Sequence, residues 1–265
     1  MDLNLKGKVA LVTGGSSGIG RMISKGLAME GVHVAIMARN EDRGNSVKNE
    51  CESLGVDSVF VRADVADEEM VANVVEQSLL KRFGKIDILV HSAAPYVRSG
   101  VHMGPFLGLS SSISREFVEI ILFGAMNCTR AVLGSMIEQK NGRIIYIGSD
   151  VGRIGDGNQA VYAAAKAGVV GFMKSIAQEV GRHNILANVV SPALTLTEED
   201  LPLLTNNYGW GTEEGRAKLT KAYPTRRLAK AEDIADMTVF LCSDRAGDVT
   251  GQVIGVDGGF CMPSP

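Results

Sequence analysis

Three side chains in this sequence have the types and spacing for proton-coupled chemistry at a carbonyl: Ser149, Tyr162 and Lys166. Tyr162 and Lys166 stand four residues apart in an apolar run, Val161 to Ala177, that reads as helix. That spacing puts both side chains on one helical face. A phenol with a pKa of about 10 is a poor acid or base at neutral pH. An ammonium held against it favours the phenolate and lowers that pKa. A hydroxyl such as Ser149 can then hold the oxygen of an alcohol or ketone while the tyrosine moves its proton. Taken alone, Tyr-x-x-x-Lys is equally consistent with a helix carrying a chance pair. The elements that must position the three residues decide between the readings.

The chain has 265 residues, 45% hydrophobic and 22% charged, which suits a single domain over 1–265 with ample core. A net charge of −3 argues against nucleic acid or an anionic membrane as a partner. The N-terminus carries no apolar signal run, and no stretch reads as long enough to span a bilayer. Cys51, Cys128, Cys242 and Cys261 form no C-x-x-C pair, so reduced thiols in a cytoplasmic protein are expected.

Short apolar runs at Val9–Thr13, 33–38, 59–63, 86–90, 143–147, 185–190 and 250–256 read as buried strands, with helical patterns between most of them. This alternation predicts an α/β fold: one doubly wound, Rossmann-type parallel sheet with helices on both faces. The segment 194–223 mixes Glu198, Glu199 and Asp200 with Pro202, Tyr208, Gly209, Trp210 and Gly211. It reads as an irregular insert, either a lid over a site or a solvated excursion.

The first strand runs into Gly14-Gly15-Ser16-Ser17-Gly18-Ile19-Gly20. A glycine turn there lets backbone N–H groups and a helix N-terminus meet a pyrophosphate, although its spacing is not G-x-G-x-x-G and tight packing is the plainer alternative. The second strand ends in Ala38-Arg39-Asn40, with no acid before Glu41. An acid there suits a ribose hydroxyl, whereas the guanidinium fork of Arg39 suits a 2′-phosphate, unless Arg39 is simply solvated. NADP is therefore the expected cofactor, with NAD as the alternative.

Together these residues resemble the short-chain dehydrogenase/reductase family, in particular members like the 3-oxoacyl-carrier-protein reductases. The carriers are Thr13 to Gly20, Asp64-Val65, Ser149, Tyr162-Ala163-Ala164-Ala165-Lys166, Pro192 and Val256-Asp257-Gly258-Gly259, with thirteen residues from Ser149 to Tyr162. The resemblance runs from Lys8 to Phe260. It implies that Tyr162 is the general acid/base and that Ser149 orients the substrate oxygen. Lys166 would lower the tyrosine pKa and hold the nicotinamide ribose. It places Gly14, Ser16, Ser17, Gly18 and Ile19 at the phosphates and Asp64 and Val65 at the adenine. Ser92, Ala93, Pro192, Leu194 and Thr195 complete the cofactor site, no metal is implied, and a homotetramer is expected.

The chain departs from the family where His91-Ser92-Ala93-Ala94 replaces Asn-Asn-Ala-Gly, where Ile121 takes the place of the catalytic asparagine, and where Pro192-Ala193 replaces Pro-Gly. The first two put the family's proton-relay water in question. Asn127 falls a turn and a half beyond Ile121 and is not its equivalent. His91 reads as a neutral core residue, with a relay role as the sharper alternative. The expected activity is interconversion of a ketone and a secondary alcohol. Tyr96, Met103, Phe106, Tyr208 and Trp210 are candidates for an apolar pocket, which points to a hydrophobic or acyl-linked substrate. The alternatives are a catalytically impaired nucleotide-binding subunit of a hetero-oligomer and an enoyl-thioester reductase.

Overall fold

The computed structural model describes residues 2–95 and 104–262. Its first half contains β1 (Val9–Thr13), α1 (Gly18–Met29), β2 (His33–Ala38), α2 (Glu41–Ser53) and β3 (Ser58–Arg62). Next, α3 (Glu68–Val74) passes through a π-helical stretch, Val75–Leu80, into α4 (Lys81–Phe83), and β4 (Ile88–His91) follows. A long helix is built from α5 (Ser111–Phe117), a second π stretch (Val118–Phe123) and α6 (Gly124–Gln139). Then come β5 (Gly142–Ile147), α7 (Val151–Ile154), α8 (Ala160–Val180) and β6 (Ile185–Pro192). The chain closes with β7 (Thr195–Leu196), α9 (Leu201–Tyr208), α10 (Glu213–Thr220), β8 (Ala229–Lys230), α11 (Ala231–Cys242) and β9 (Val253–Val256).

Seven strands form one sheet in the order β3-β2-β1-β4-β5-β6-β9, and every pairing is parallel. Both faces of such a sheet are covered, so its strands need apolar side chains in both directions. Leu11, Leu89, Ile144 and Tyr146 point to a core shared with Phe117, Val169 and Met173. Their neighbours Val12, Val90 and Ile145 point to the opposite core, with Ile23, Leu27 and Ile234. The strand order reverses direction between β1 and β4, and the crevice at such a switch point is where open α/β sheets bind ligands.

Two sequence expectations are corrected here. Segments Ser111–Gln139 and Ala160–His183 are long and apolar enough, by length and composition, to cross a bilayer. Their apolar residues, among them Ile121, Cys128, Val132, Val169 and Met173, pack on the sheet. The insert at 194–223 is not irregular either: it folds into α9 and α10, and β7 pairs with β8 at its base. Thr212 caps α10 by accepting from the Gly215 N–H at 3.0 Å, and Glu213 and Glu214 occupy its first turn.

Candidate active site

Ser149 sits in the turn after β5, and α8 carries Tyr162 and Lys166 on the side that faces it. The Ser149 hydroxyl lies beside the Tyr162 phenol, near enough to hold its pKa down. Ser149 Oγ also accepts from the Val151 N–H at 3.3 Å, which fixes the turn. Lys166 is buried, donates to the Ile147 carbonyl at 2.6 Å, and lies 5.7 Å from the centroid of the Tyr162 ring. Phe117 meets Tyr162 edge-on with 5.8 Å between ring centres. The three predicted catalytic residues are thus brought together.

Burial raises the Tyr162 pKa, and the neighbouring Ser149 hydroxyl opposes the rise. The Lys166 ammonium points at a backbone carbonyl, and its own pKa is pushed down to about 8 by burial. A phenol kept neutral in this way holds a proton that it can donate and later take back.

At the switch point, Gly14 is held at φ +64°, and a Cβ there would lie 2.8 Å from the Ala93 Cα. A Cβ on Gly20 would come within 2.3 Å of the Gly14 carbonyl oxygen. Glycine at both positions lets the turn fold tightly under the N-terminus of α1. Ser17 is the extended N-cap of α1, and its side chain caps no amide, which leaves the first turn open to an anion. One of those amides has an occupant from the chain itself: Gly18 N–H donates to Glu199 Oε1 at 3.2 Å. The neighbouring Glu198 pairs with Arg21 at 3.2 Å. The acceptance of a carboxylate at Gly18 is the local evidence that this cradle fits a diphosphate.

The remaining predicted contacts line the same crevice. Arg39 is more than half exposed at the end of β2, with its guanidinium 3.8 Å from Asp64 Oδ2. Val65 is buried, and its carbonyl accepts from Asn127 Nδ2 at 3.0 Å. Ser92 and Ala93 follow β4, their N–H groups donating to the Thr13 carbonyl at 3.2 Å and to Thr13 Oγ1 at 3.3 Å. Pro192 ends β6, and Thr195 Oγ1 donates to the Ala193 carbonyl at 3.1 Å. Leu194 is exposed, while Ser16 and Ile19 are half-buried in the glycine turn.

His91 is buried, and its Nδ1 lies 3.0 Å from Thr13 Oγ1. Burial, reinforced by the Lys166 charge, pushes its pKa down to about 3, so the ring is neutral. The carbonyls of Ile120 and Ile121 oppose that shift, yet Nε2 makes no well-formed hydrogen bond to a described residue. Ile121 itself is buried within the π stretch, where its side chain belongs to the core.

The five candidates for the apolar pocket fall in different places. Tyr96 and Met103 lie outside the described residues, as does the side chain of Tyr208. Phe106 is exposed, and Trp210 packs with Leu204, Tyr223 and Leu228. A surface hollow of about 590 Å³ is lined by Arg227, Asp233, Met237, Phe240 and Val256, and none of the three catalytic residues reaches it. Sequence reasoning also missed a buried cluster of Asp150, Asp257 and Cys261, since these positions are far apart in the chain.

Residues 14–261 match a family profile described as Enoyl-(Acyl carrier protein) reductase. The 3-oxoacyl-[acyl-carrier-protein] reductase FabG of Escherichia coli K12 is 36% identical over 260 residues, covering 98% of this chain and all of that one. The FabG of Staphylococcus aureus Mu50 is 34% identical over 256 residues, covering 96% and 98%. The chain belongs to the short-chain dehydrogenase/reductase family. A solved member from Mycobacterium ulcerans, a short-chain type dehydrogenase/reductase, superposes with a TM-score of 0.87 at 29% identity, over 96% of this chain and 90% of that one. As a family member the chain is a nicotinamide-dependent oxidoreductase that interconverts a carbonyl and an alcohol, with the doubly wound sheet expected from its sequence.

Proposed function

We propose that this protein is an NADP(H)-dependent reductase of hydrophobic or acyl-linked ketones, of the 3-oxoacyl thioester class, and that Ser149, Tyr162 and Lys166 carry the proton chemistry. The observation that carries the reading is the Ser149 hydroxyl set beside the Tyr162 phenol, with the buried Lys166 ammonium 5.7 Å from the phenol ring. A bound nicotinamide supplies the hydride to the carbonyl carbon. Ser149 and Tyr162 hold the carbonyl oxygen, and Tyr162 gives it the proton that completes the alcohol. Lys166, charged below its lowered pKa of about 8, favours the phenolate and so helps Tyr162 give up its proton. Arg39, more than half exposed and held only loosely by Asp64 at 3.8 Å, supports a 2′-phosphate. The reading includes a lid over residues 194–223, a cytoplasmic location and assembly of identical chains into a tetramer.

Reduction of a carbon–carbon double bond is a second reading, favoured by the description of the matching profile. The tight Tyr162–Lys166 spacing and the FabG relatives weigh toward the ketone. The test is NADPH oxidation with acetoacetyl-CoA and with crotonyl-CoA. Turnover of the first, lost by about 10² or more in Tyr162→Phe with cofactor binding kept, is expected. Turnover of crotonyl-CoA alone would replace the reading with the enoyl one, and turnover of neither would favour a catalytically impaired subunit.

A further inference from the structure

Asp150 follows Ser149 directly and is only 1% exposed. Its backbone N–H donates to the Pro192 carbonyl at 3.0 Å, joining the catalytic turn to the end of β6. Its Oδ1 accepts from Ser191 Oγ at 2.8 Å and from Arg153 Nη1 at 3.0 Å. Its Oδ2 is buried and has no hydrogen-bond partner among the described residues. An orphaned carboxylate oxygen is costly to bury, so something must satisfy it.

The groups facing this carboxyl come from every element around it. Arg153 reaches it from α7 and Ser191 from β6. Asp257 and Cys261 approach from the segment after β9, their ligand atoms and that of Asp150 lying within 4.8 Å of one another. Tyr223, ahead of β8, feels both carboxylates. Asp257 in turn accepts from the Gly259 N–H at 2.8 Å and the Cys261 N–H at 3.3 Å, which ties down the C-terminal segment. Arg153 Nη1 lies 3.7 Å from Asp257 Oδ2. One guanidinium thus serves two buried carboxyls, and one positive equivalent is missing. A metal ion would compete with Arg153 for the same oxygens. A proton on Oδ2 needs no space and supplies the missing hydrogen bond as well as the charge.

We propose that Asp150 is a positioning residue for Ser149: its Oδ2 takes up a proton and donates it to the Asp257 carboxylate, clamping the Ser149 turn and the Pro192 end of β6 to the C-terminal segment. The inference rests on Ser149 orienting the substrate oxygen, as read above. Burial, with Asp257 adding to it, holds the Asp150 carboxyl above the ordinary range at about 6, while Ser191 and Arg153 oppose the rise. A carboxyl raised on folding contributes stability that is complete below its unfolded pKa of about 3.9 and is lost as pH rises through the folded value. The clamp is therefore closed in acid and released on the alkaline side of about pH 6.

The experiment compares the full-length parent with Asp150→Asn, Asp150→Ala and Asp257→Asn. Asparagine at 150 keeps the acceptor for Ser191 and Arg153 and donates to Asp257 at every pH. In cofactor-free protein, Tm of the parent is expected to fall as pH rises through about 6, and Asp150→Asn to remove that fall. In NADPH-dependent turnover, the ratio of kcat in Asp150→Asn to kcat in the parent should rise at least about threefold from about pH 5.5 to 8, the titrations of Tyr162 and Lys166 cancelling in the ratio. Asp150→Ala should lose about tenfold in kcat with the NADPH Kd within about twofold. A parent Tm that does not fall through this window, or one whose fall survives in both asparagine variants, overturns the clamp. A pH-independent kcat ratio overturns the positioning role. If Ser149→Ala retained full kcat while Asp150→Asn still removed the fall in Tm, the reading of Ser149 would fail and the clamp would stand.

Discussion

The carboxylate of Glu199 sits where the fold prepares for a phosphate, and its removal has a calculable consequence. Gly18 N–H donates to Glu199 Oε1 at 3.2 Å, across a sequence separation of 181 residues. A carboxylate in the first turn of a helix gains about 0.3–1 kcal/mol from the helix dipole when partly exposed. The charge-assisted hydrogen bond adds to this, discounted for solvent at a half-buried site. About 1 kcal/mol in all is a reasonable sum, and a diphosphate arriving at the same amide must break that contact and tolerate the displaced charge nearby. Glu199→Gln keeps the shape and removes the charge. We expect NADPH to bind about fivefold more tightly to Glu199→Gln, with the gain shrinking at high salt. The assay is cofactor fluorescence titration without substrate. Glu198→Gln is the control, since that side chain reaches Arg21 and not the amide, and it should leave Kd within about twofold. Unchanged or weaker binding in Glu199→Gln would refute the argument that the two anions share one site.

Arg39→Asp should reverse or erase a preference for NADPH, read as kcat/KM with each cofactor; equal values in the parent would remove the case for a 2′-phosphate site. Gly14→Ala must place a Cβ 2.8 Å from the Ala93 Cα at a positive φ, so a loss of about 1–3 kcal/mol in chemical denaturation and weaker cofactor binding are expected. Ile121→Ala opens a cavity in the core and should cost about 2–5 kcal/mol of stability while leaving kcat within about tenfold. His91→Leu combined with Ser92→Ala should slow kcat more than that, and a double variant matching the parent at every pH would leave His91 as a core histidine.

The seven sheet strands were legible because apolar runs of β-branched residues, as in Val9–Thr13 and 185–190, need no knowledge of their neighbours. Tyr162 and Lys166 were legible for a similar reason, since their relation is set within one helix. What escaped depends on residues that meet only in space. Glu199 on Gly18 and Asp257 near Asp150 join distant parts of the chain, and nothing local marks either pair. The helices α9 and α10 were hidden by Pro202, Gly209 and Gly211, which punctuate the segment as a loop would. Pro202 sits in the first turn of α9, where a missing N–H costs nothing, and Gly209 ends that helix at φ +66°. The hydrogen bond from Lys166 to Ile147 was hidden because sequence gives spacing but not which backbone carbonyl takes the ammonium.

The π stretch at Val118–Phe123 sets a rotational phase for everything that follows it. A π turn is an α-helix holding one residue too many, and each residue of an α-helix turns the chain by about 100°. On the near side of that surplus, Phe117 rests against Tyr162. On the far side, Asn127 reaches the Val65 carbonyl, and Gly124 lies so close that a Cβ would come within 2.7 Å of Val65 Cγ2 and 3.3 Å of the His91 ring. Both sets lie on the buried side of the helix because the surplus residue brings them into step. Deleting any one residue between 118 and 123 would yield a more regular helix and swing Gly124 and Asn127 away from Val65 by about a quarter turn. At this point the number of residues is a constraint in its own right, apart from what those residues are.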